Sequence, residues 1–425
     1  MNRRPPHLRV ARVAATLFAV GITLSACSSG GTGGANSASV PTTTSAYQKY
    51  MAVEQHALSV ALGSVHVALP TKAGAAAPAL AANAFGQGLG SKVVLGFLPY
   101  WELSHVGSVD YSSLSEIAYS YLVVGPRATI SKSGLGWDAI ENGSVETLVT
   151  NAHSAGTRAL LSIFTESEST LAQLSRSPTS NGQRLADQVA PLLQANDFDG
   201  VDLDLEGQDP GPRAGFSKLV AAFSTRLRAI DHTWSIVLNT LPQSAMGPET
   251  LYDVKALSPY VDQFFVMAYD MSDFEVPSAS APLTGSDLSD VSSLASFVAT
   301  VPASKVILGI PFYGYDFTAS RATPPSDAIG NPDAVTYDEI VTAGRPALWD
   351  PVSETPFASF RRGKAWHQTW YDDPTSVALK VALAGAFKVA GVGAWEVGMA
   401  SGQTQMDVAL DGGSTPLRLP LATQP

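Results

Sequence analysis

Asp199 to Gly207 reads D-G-V-D-L-D-L-E-G, and no other stretch restricts the fold as strongly. In an extended strand alternate side chains share a face. Val201, Leu203 and Leu205 then line one side, and Asp202, Asp204 and Glu206 line the other. Burying three carboxylates in a row is costly unless each is paired, hydrogen-bonded or protonated. The fold must therefore give this strand one apolar side and one polar side, and a use for the polar one. The plain alternative is an edge strand with a solvated acidic face, but the neighbouring strands are aliphatic and read as central. A single metal ion does not fit. Asp202 and Glu206 stand about 13 Å apart along a strand, too far for oxygen ligands at about 2.4 Å. Acid/base chemistry does fit, because neighbouring like charges raise one carboxyl pKa and leave a proton to donate. Glu206, last in the row at the strand's carboxyl end, is the expected donor.

The surroundings of this strand name its architecture. Short apolar runs recur at Val93–Pro99, Ile117–Val124, Arg158–Phe164, Gly200–Glu206, Trp234–Leu241, Val261–Tyr269, Val306–Phe312 and Gly391–Val397. Helical patterns fall between most of them, as at Asn181–Gln194, Gly211–Ile230, Asp287–Ala299 and Thr375–Val389. Eight strand–helix alternations predict an α/β fold, the parallel TIM (β/α)8 barrel. The acidic face then points into the barrel. Between Phe312 and Thr375 the chain is too long for a loop and rich in aromatics. It predicts a small α+β insertion, about residues 313–374, between strand 7 and helix 7, on the active-site rim.

A formal charge of −11 argues against nucleic acid and against charge-driven binding to anionic lipid. The seven histidines show no metal-motif spacing, and no G-x-S-x-G elbow, P-loop or dinucleotide fingerprint is present. No metal and no cofactor is expected. The lone cysteine, Cys27, allows no disulfide within the chain.

Residues 1–27 read as an export signal. Arg3, Arg4, Arg9 and Arg12 precede the apolar run Val13–Leu24, which is too short to span a membrane. The run closes on Leu24-Ser25-Ala26-Cys27, which resembles a bacterial lipobox and implies a lipidated cysteine. An ordinary cleaved signal is the alternative. Residues 28–90 read as a flexible tether with one helix over Tyr47–Leu69, and 91–425 as the barrel domain with its insertion. The expected location is outside the cell, anchored to the membrane's outer face only through Cys27.

A second constellation sits at strand ends. Strand six ends F-F-V-M-A-Y-D, placing Phe265, Met267 and Tyr269 on one face and Asp270 just beyond. Tyr100 and Trp101 follow strand one, Tyr313 follows strand seven, and Trp395 and Glu396 end strand eight. Aromatics converging on an acidic rim suit a sugar platform. The chain resembles glycoside hydrolase family 18, the chitinase family. Its D-G-x-D-x-D-x-E is matched at Asp199, Gly200, Asp202, Asp204 and Glu206, its M-x-Y-D at Met267, Tyr269 and Asp270, and its strand-eight tryptophan at Trp395. G-I-P-F-Y-G-Y-D, W-Y-D-D and G-V-G-A-W-E-V-G are similar to the branch of spore-germination, cortex-lytic N-acetylglucosaminidases.

The resemblance implies roles. Glu206 protonates the glycosidic oxygen, Asp204 orients and stabilises the substrate's acetamido group, Asp202 supports Asp204, and Tyr269 bonds the acetamido carbonyl. Asp270, Met267, Trp395, Tyr100, Trp101, Tyr313 and Glu396 complete the expected substrate contacts. Asp204 and Glu206 lie on one side of a strand, about 6.6 Å apart at Cα, so neither easily attacks from the opposite face, and the resemblance implies that the substrate's own acetamide is the nucleophile. The expected activity is retaining cleavage of β-1,4 bonds beside N-acetylglucosamine in peptidoglycan or chitin-like glycans. The alternative is a weak or inactive chitinase-like sugar-binding lipoprotein. One departure stands out: many relatives end strand three in S-x-G-G, whereas this chain has Ser162-Ile163-Phe164-Thr165.

Overall fold

The computed structural model describes residues 44–65, 67–80, 92–272 and 274–413. Cys27 and the export signal lie outside the described residues, as does the tether reading of residues 28–43.

Eight parallel strands close into a barrel. They are β1 (Val93–Pro99), β2 (Glu116–Gly125), β3 (Arg158–Thr165), β4 (Gly200–Leu205), β5 (Ser235–Thr240), β6 (Gln263–Val266), β7 (Val306–Pro311) and β8 (Gly391–Trp395). Each pairs with the next in sequence, and β8 returns to β1. Outward positions such as Val201, Leu203 and Leu205 are buried beneath the surrounding helices. Inward positions form a separate core of Val93, Leu95, Phe97, Ala118, Leu160, Val237, Phe265, Met267 and Ile307. Phe265 fills the barrel axis because two inward glycines leave room. A Cβ on Gly309 would stand 2.8 Å from its ring, and one on Gly393 2.9 Å.

Strand six is shorter than its apolar run. After Val266 the backbone folds through two tight turns, with Ala268 N bonding Val266 O at 2.7 Å and Tyr269 N bonding Met267 O at 2.8 Å. This lifts Tyr269 and Asp270 onto the rim instead of extending the sheet.

The insertion contributes five strands to a six-stranded antiparallel sheet, whose sixth comes from the N-terminal segment. Its strands run in the spatial order Ala75–Ala76, Leu348–Asp350, Thr355–Arg362, Ala365–Tyr371, Tyr313–Ala319 and Asp333–Thr336. The helix Tyr337–Ala343 opens on a capping box between Thr336 and Glu339. The chain re-enters the barrel through W-Y-D-D. Asp373 caps the helix Pro374–Ala386 by accepting from the backbone N–H groups of Thr375 and Ser376. Asp372 and Asp290 flank the buried Lys380 at 3.6 and 2.6 Å. That motif therefore fastens the insertion to the barrel.

The tether reading needs correction where the chain is described. The helix Thr44–Ser64 buries Ala57 and Ala61 and packs on the helices Pro374–Ala386 and Asp290–Thr300. Gly74 N and Ala77 N then bond Trp349 O and Ala347 O at 3.0 and 2.8 Å. Residues 57–65 and 67–77 belong to the folded body, because their alanines seal a helix that would otherwise present an apolar face.

Candidate active site

The acidic row points inward, as the strand period requires. In register, Ser162 lies beside Asp202 and Phe164 beside Asp204 on β3. Ser162 Oγ donates to Asp202 Oδ2 at 2.7 Å. Asn239, the last inward residue of β5, donates to Asp204 Oδ1 at 2.9 Å and reaches Asp202 Oδ2 at 3.5 Å. Asp202 and Asp204 are buried, while Glu206 is half-buried where the row meets the cleft. The end of the row is held from both sides. Glu206 N bonds Thr165 O at 2.8 Å, and Tyr252 Oη donates to Leu205 O at 3.0 Å from outside the barrel.

This geometry separates the three carboxyls electrostatically. Burial, then the charge of Asp204, pushes Asp202 well above the carboxylate range, against the bonds from Ser162 and Asn239. Burial also lifts Asp204, but hydrogen bonds from Asn239 and Glu206 restrain it to about 6. Glu206 is raised well above its usual value by burial, then by the charge of Asp204, their shared hydrogen bond, and the charges of Glu166 and Asp270. The row thus favours its charge on Asp204 and its proton on Glu206, the group placed to transfer it.

The opposite wall comes from β6 to β8. Burial, then the charges of Glu206 and Asp204, raises the Tyr269 phenol and keeps it a donor. Asp270 is exposed on the rim at a φ of 55°, yet surrounding protein and its own partners fix it. Tyr313 Oη, Tyr315 Oη and Ser280 Oγ donate to its Oδ1 at 2.7, 2.8 and 3.1 Å. Desolvation raises its pKa, against those three bonds. Trp395 rests on Phe97, with ring centroids 5.4 Å apart, and remains partly open to the cleft. On the β1–β3 side four rings make a continuous wall. Phe164 stacks on Tyr121 at 4.2 Å, and Tyr121 meets the edges of Tyr100 and Trp101 at 5.8 and 6.0 Å.

Most of the expected residues converge here: Asp202, Asp204, Glu206, Tyr269, Asp270, Trp395, Tyr100 and Trp101. Three take other places. Glu396 is fully buried, turned back to accept from Gly398 N at 2.9 Å beneath the short helix Val397–Ala400. Burial and the nearby Glu102 raise its pKa, and it cannot reach a ligand in the cleft. Tyr313 is only 6% exposed and supports Asp270 from behind. Met267 is buried in the inner core under Tyr269. Four residues escaped the sequence reading: Asn239, Tyr121, Tyr315 and Tyr252. Asn239 was visible by parity as the one inward amide on β5. Tyr121 was not, because β2 slips register between Tyr119 and Leu122. Among the described residues no cluster of His, Cys, Asp and Glu could hold a metal ion.

Comparison with known proteins gives a consistent picture. The sequence profile of Glycosyl hydrolases family 18 matches residues 93–400. The chain is 25% identical over 286 residues to a Di-N-acetylchitobiase from Rattus norvegicus, covering 58% of this chain and 72% of that protein. It is 26% identical over 218 residues to an uncharacterized glycosylase, YvbX, from Bacillus subtilis, covering 51% and 62%. Over the first curated relatives matched, the chain spans 53%, 64% and 62% of their length. In fold it resembles a GH18 chitinase from Cycas revoluta solved in complex with (GlcNAc)3. The TM-score is 0.68 at 21% identity, over 76% of this chain and 100% of that one.

Proposed function

The chain belongs to glycosyl hydrolases family 18, and on that premise we propose that it is a retaining glycoside hydrolase. It cleaves β-1,4 bonds beside N-acetylglucosamine in envelope glycans. The observation that carries the proposal is the geometry of the row: Asp204 buried and held by Asn239, with Glu206 beside it at the mouth of the cleft, where burial and the charge of Asp204 raise its pKa.

The chemistry follows from that pattern. Glu206 gives its proton to the glycosidic oxygen as the bond to C1 breaks. Asp204 and Glu206 leave one strand on the same side, and Asp270 on the opposite wall is held by Tyr313, Tyr315 and Ser280, so the acetamido carbonyl oxygen attacks C1 and closes an oxazolinium ring. Asp204 pairs with the positive acetamide nitrogen, and Tyr269 donates to the acetamide oxygen. Asn239 and Ser162 keep Asp204 and Asp202 aimed throughout. Glu206, now a carboxylate, takes a proton from water as the water oxygen bonds to C1 and reopens the ring, which restores the acid. The Trp395 face carries the sugar at this position.

A relative named Di-N-acetylchitobiase and a GH18 chitinase solved in complex with (GlcNAc)3 support the same substrate unit here. The lipobox-like L-S-A-C supports an anchor at Cys27 and an envelope glycan over a released nutrient enzyme. Glu206→Gln should fold normally and lose several orders of magnitude of turnover on a chromogenic N-acetylglucosamine oligomer; equal turnover sinks the proposal. Cys27→Ala should move the protein from the membrane fraction to the medium, and unchanged fractionation removes the anchor from the reading.

A further inference from the structure

The hairpin joining Thr355–Arg362 to Ala365–Tyr371 carries Arg361, Arg362, Gly363 and Lys364 in sequence, with no acid between Phe357 and Trp366. In a chain of net charge −11 this is a local reversal of sign. Its cations are also ordered. The Arg361 guanidinium lies 4.5 Å from the Trp366 ring centre, its partner across the hairpin. On the other face Arg345 lies 3.3 Å from the Phe360 ring centre, with Arg362 at 5.7 Å and His367 stacked beneath at 5.4 Å. Arg362 is spoken for by Asp316 at 2.8 Å. Among the described residues Arg345, Arg361 and Lys364 join no ion pair, and all three are exposed.

Aromatic stacking holds a guanidinium plane flat and leaves its edge donors outward, a shape suited to bidentate capture of a carboxylate. Placement ties the device to the cleft. Trp366 pairs with Ala319, four residues beyond Tyr315, whose hydroxyl holds Asp270. Along a strand that is about 14 Å. By the two-residue period Arg361 and Trp366 share the sheet face of Tyr313 and Tyr315, with the turn at 320–328 packed between. A neutral chitin-like chain offers hydroxyls and amides but no carboxylate for a guanidinium fork to grip. A glycan bearing carboxylate side groups does.

We propose that the Arg361–Trp366 pair, with Lys364 at the hairpin tip, binds carboxylates on the peptide stems of the glycan whose backbone lies in the cleft. This rests on the hydrolase reading and narrows its substrate to peptide-bearing peptidoglycan. It also answers the overall acidity, since attraction is supplied locally where the polymer leaves the cleft.

The test is co-sedimentation of the full chain carrying Glu206→Gln, so that binding is read without turnover. The ligands are purified sacculi, sacculi stripped of stems by an amidase, and sacculi stripped of phosphodiester polymer. Binding should weaken at least tenfold on stem removal, weaken with salt, and weaken to the same degree in Arg361→Ala/Lys364→Ala. With Glu206 intact, that double variant should keep its kcat/KM on a neutral N-acetylglucosamine oligomer within about twofold of the parent. Arg361→Lys, which keeps charge but loses the planar fork, should bind at an intermediate level. Binding that survives stem removal, or that falls only with the phosphodiester polymer, overturns the proposal. Stem-dependent binding by a parent protein that hydrolyses no glycan would instead overturn the hydrolase reading alone.

Discussion

Asn239 Nδ2 stands 2.9 Å from Asp204 Oδ1 and 3.5 Å from Asp202 Oδ2, so one amide reaches two neighbouring carboxyls and bonds Asp204 the more closely. The closer bond favours the ionised form of Asp204 and holds it to about 6, against burial that pushes it higher. Asn239→Ala removes that restraint, so the Asp204 pKa must rise. Because the mechanism needs Asp204 ionised, the acid limb of the kcat/KM profile should move to higher pH, with turnover at neutral pH down about tenfold to a hundredfold. A pH profile of variant against parent decides it. A fall in rate with an unmoved acid limb would mean that Asn239 only packs.

Phe164 occupies an inward position beside Asp204, where the family resemblance leads one to expect glycine. Its ring stacks on Tyr121 at 4.2 Å and so braces the whole wall of Tyr100, Trp101 and Tyr121. Phe164→Gly should loosen that wall, cost about 2 kcal/mol in stability for a half-buried ring, and admit more sugar beside the row. The ratio of turnover on a pentamer to that on a trimer should rise several-fold. Product chromatography on defined N-acetylglucosamine oligomers measures it, and an unchanged ratio places Phe164 outside the path of the glycan.

Much of this was legible in the sequence because strand parity is a strict rule. Asp202, Asp204 and Glu206 face inward for the same reason that Val201 and Leu203 face the helices. Parity failed where the backbone leaves the sheet. Glu396 follows the last residue of β8, and its chain turns down beneath the Val397–Ala400 helix, so adjacency to Trp395 said nothing about the cleft. Tyr121 was hidden by an irregularity in β2. Composition misled at Thr71–Pro78, where small residues read as coil. They pair with Trp349 and Ala347, far away in the chain, contacts that no local pattern encodes.

The barrel's lower end predicts how stability responds to pH. Glu116 is fully buried at the base of β2, with Arg158 Nη1 at 3.5 Å. Burial raises its pKa from 4.5 to about 7, against the charge of Arg158. Below about 4.5 both folded and unfolded states hold the proton. As pH rises through about 7 the unfolded chain has released it while the folded protein resists, so stability falls. The full difference is on the order of 3 kcal/mol. Asp290, raised to about 7 by burial, adds in the same direction. The melting temperature should therefore drop between pH 5 and pH 8, and Glu116→Gln should flatten part of that slope. Scanning calorimetry of both proteins at the two pH values tests the sign, and a steeper slope in the variant would refute it.

The N-terminal helix predicts a second stability effect. Ala57, Ala61 and Val65 are buried, with Leu58 and Leu62 partly so, against a body that includes the helix Pro374–Ala386. Every residue of that helix from Pro374 to Ala384 is buried, a pattern that needs cover on all sides. A truncated chain starting at Lys92 loses this cover, the Ala75–Ala76 edge strand and the bond from Thr375 Oγ1 to Pro78 O. Exposing the equivalent of several apolar side chains costs on the order of 5 kcal/mol. The truncation should lower the melting temperature by about 10 °C and raise aggregation relative to a chain starting at Thr44. If the chain from Lys92 is as stable as the chain from Thr44, residues 44–80 are a tether after all, and their packing against the barrel contributes nothing.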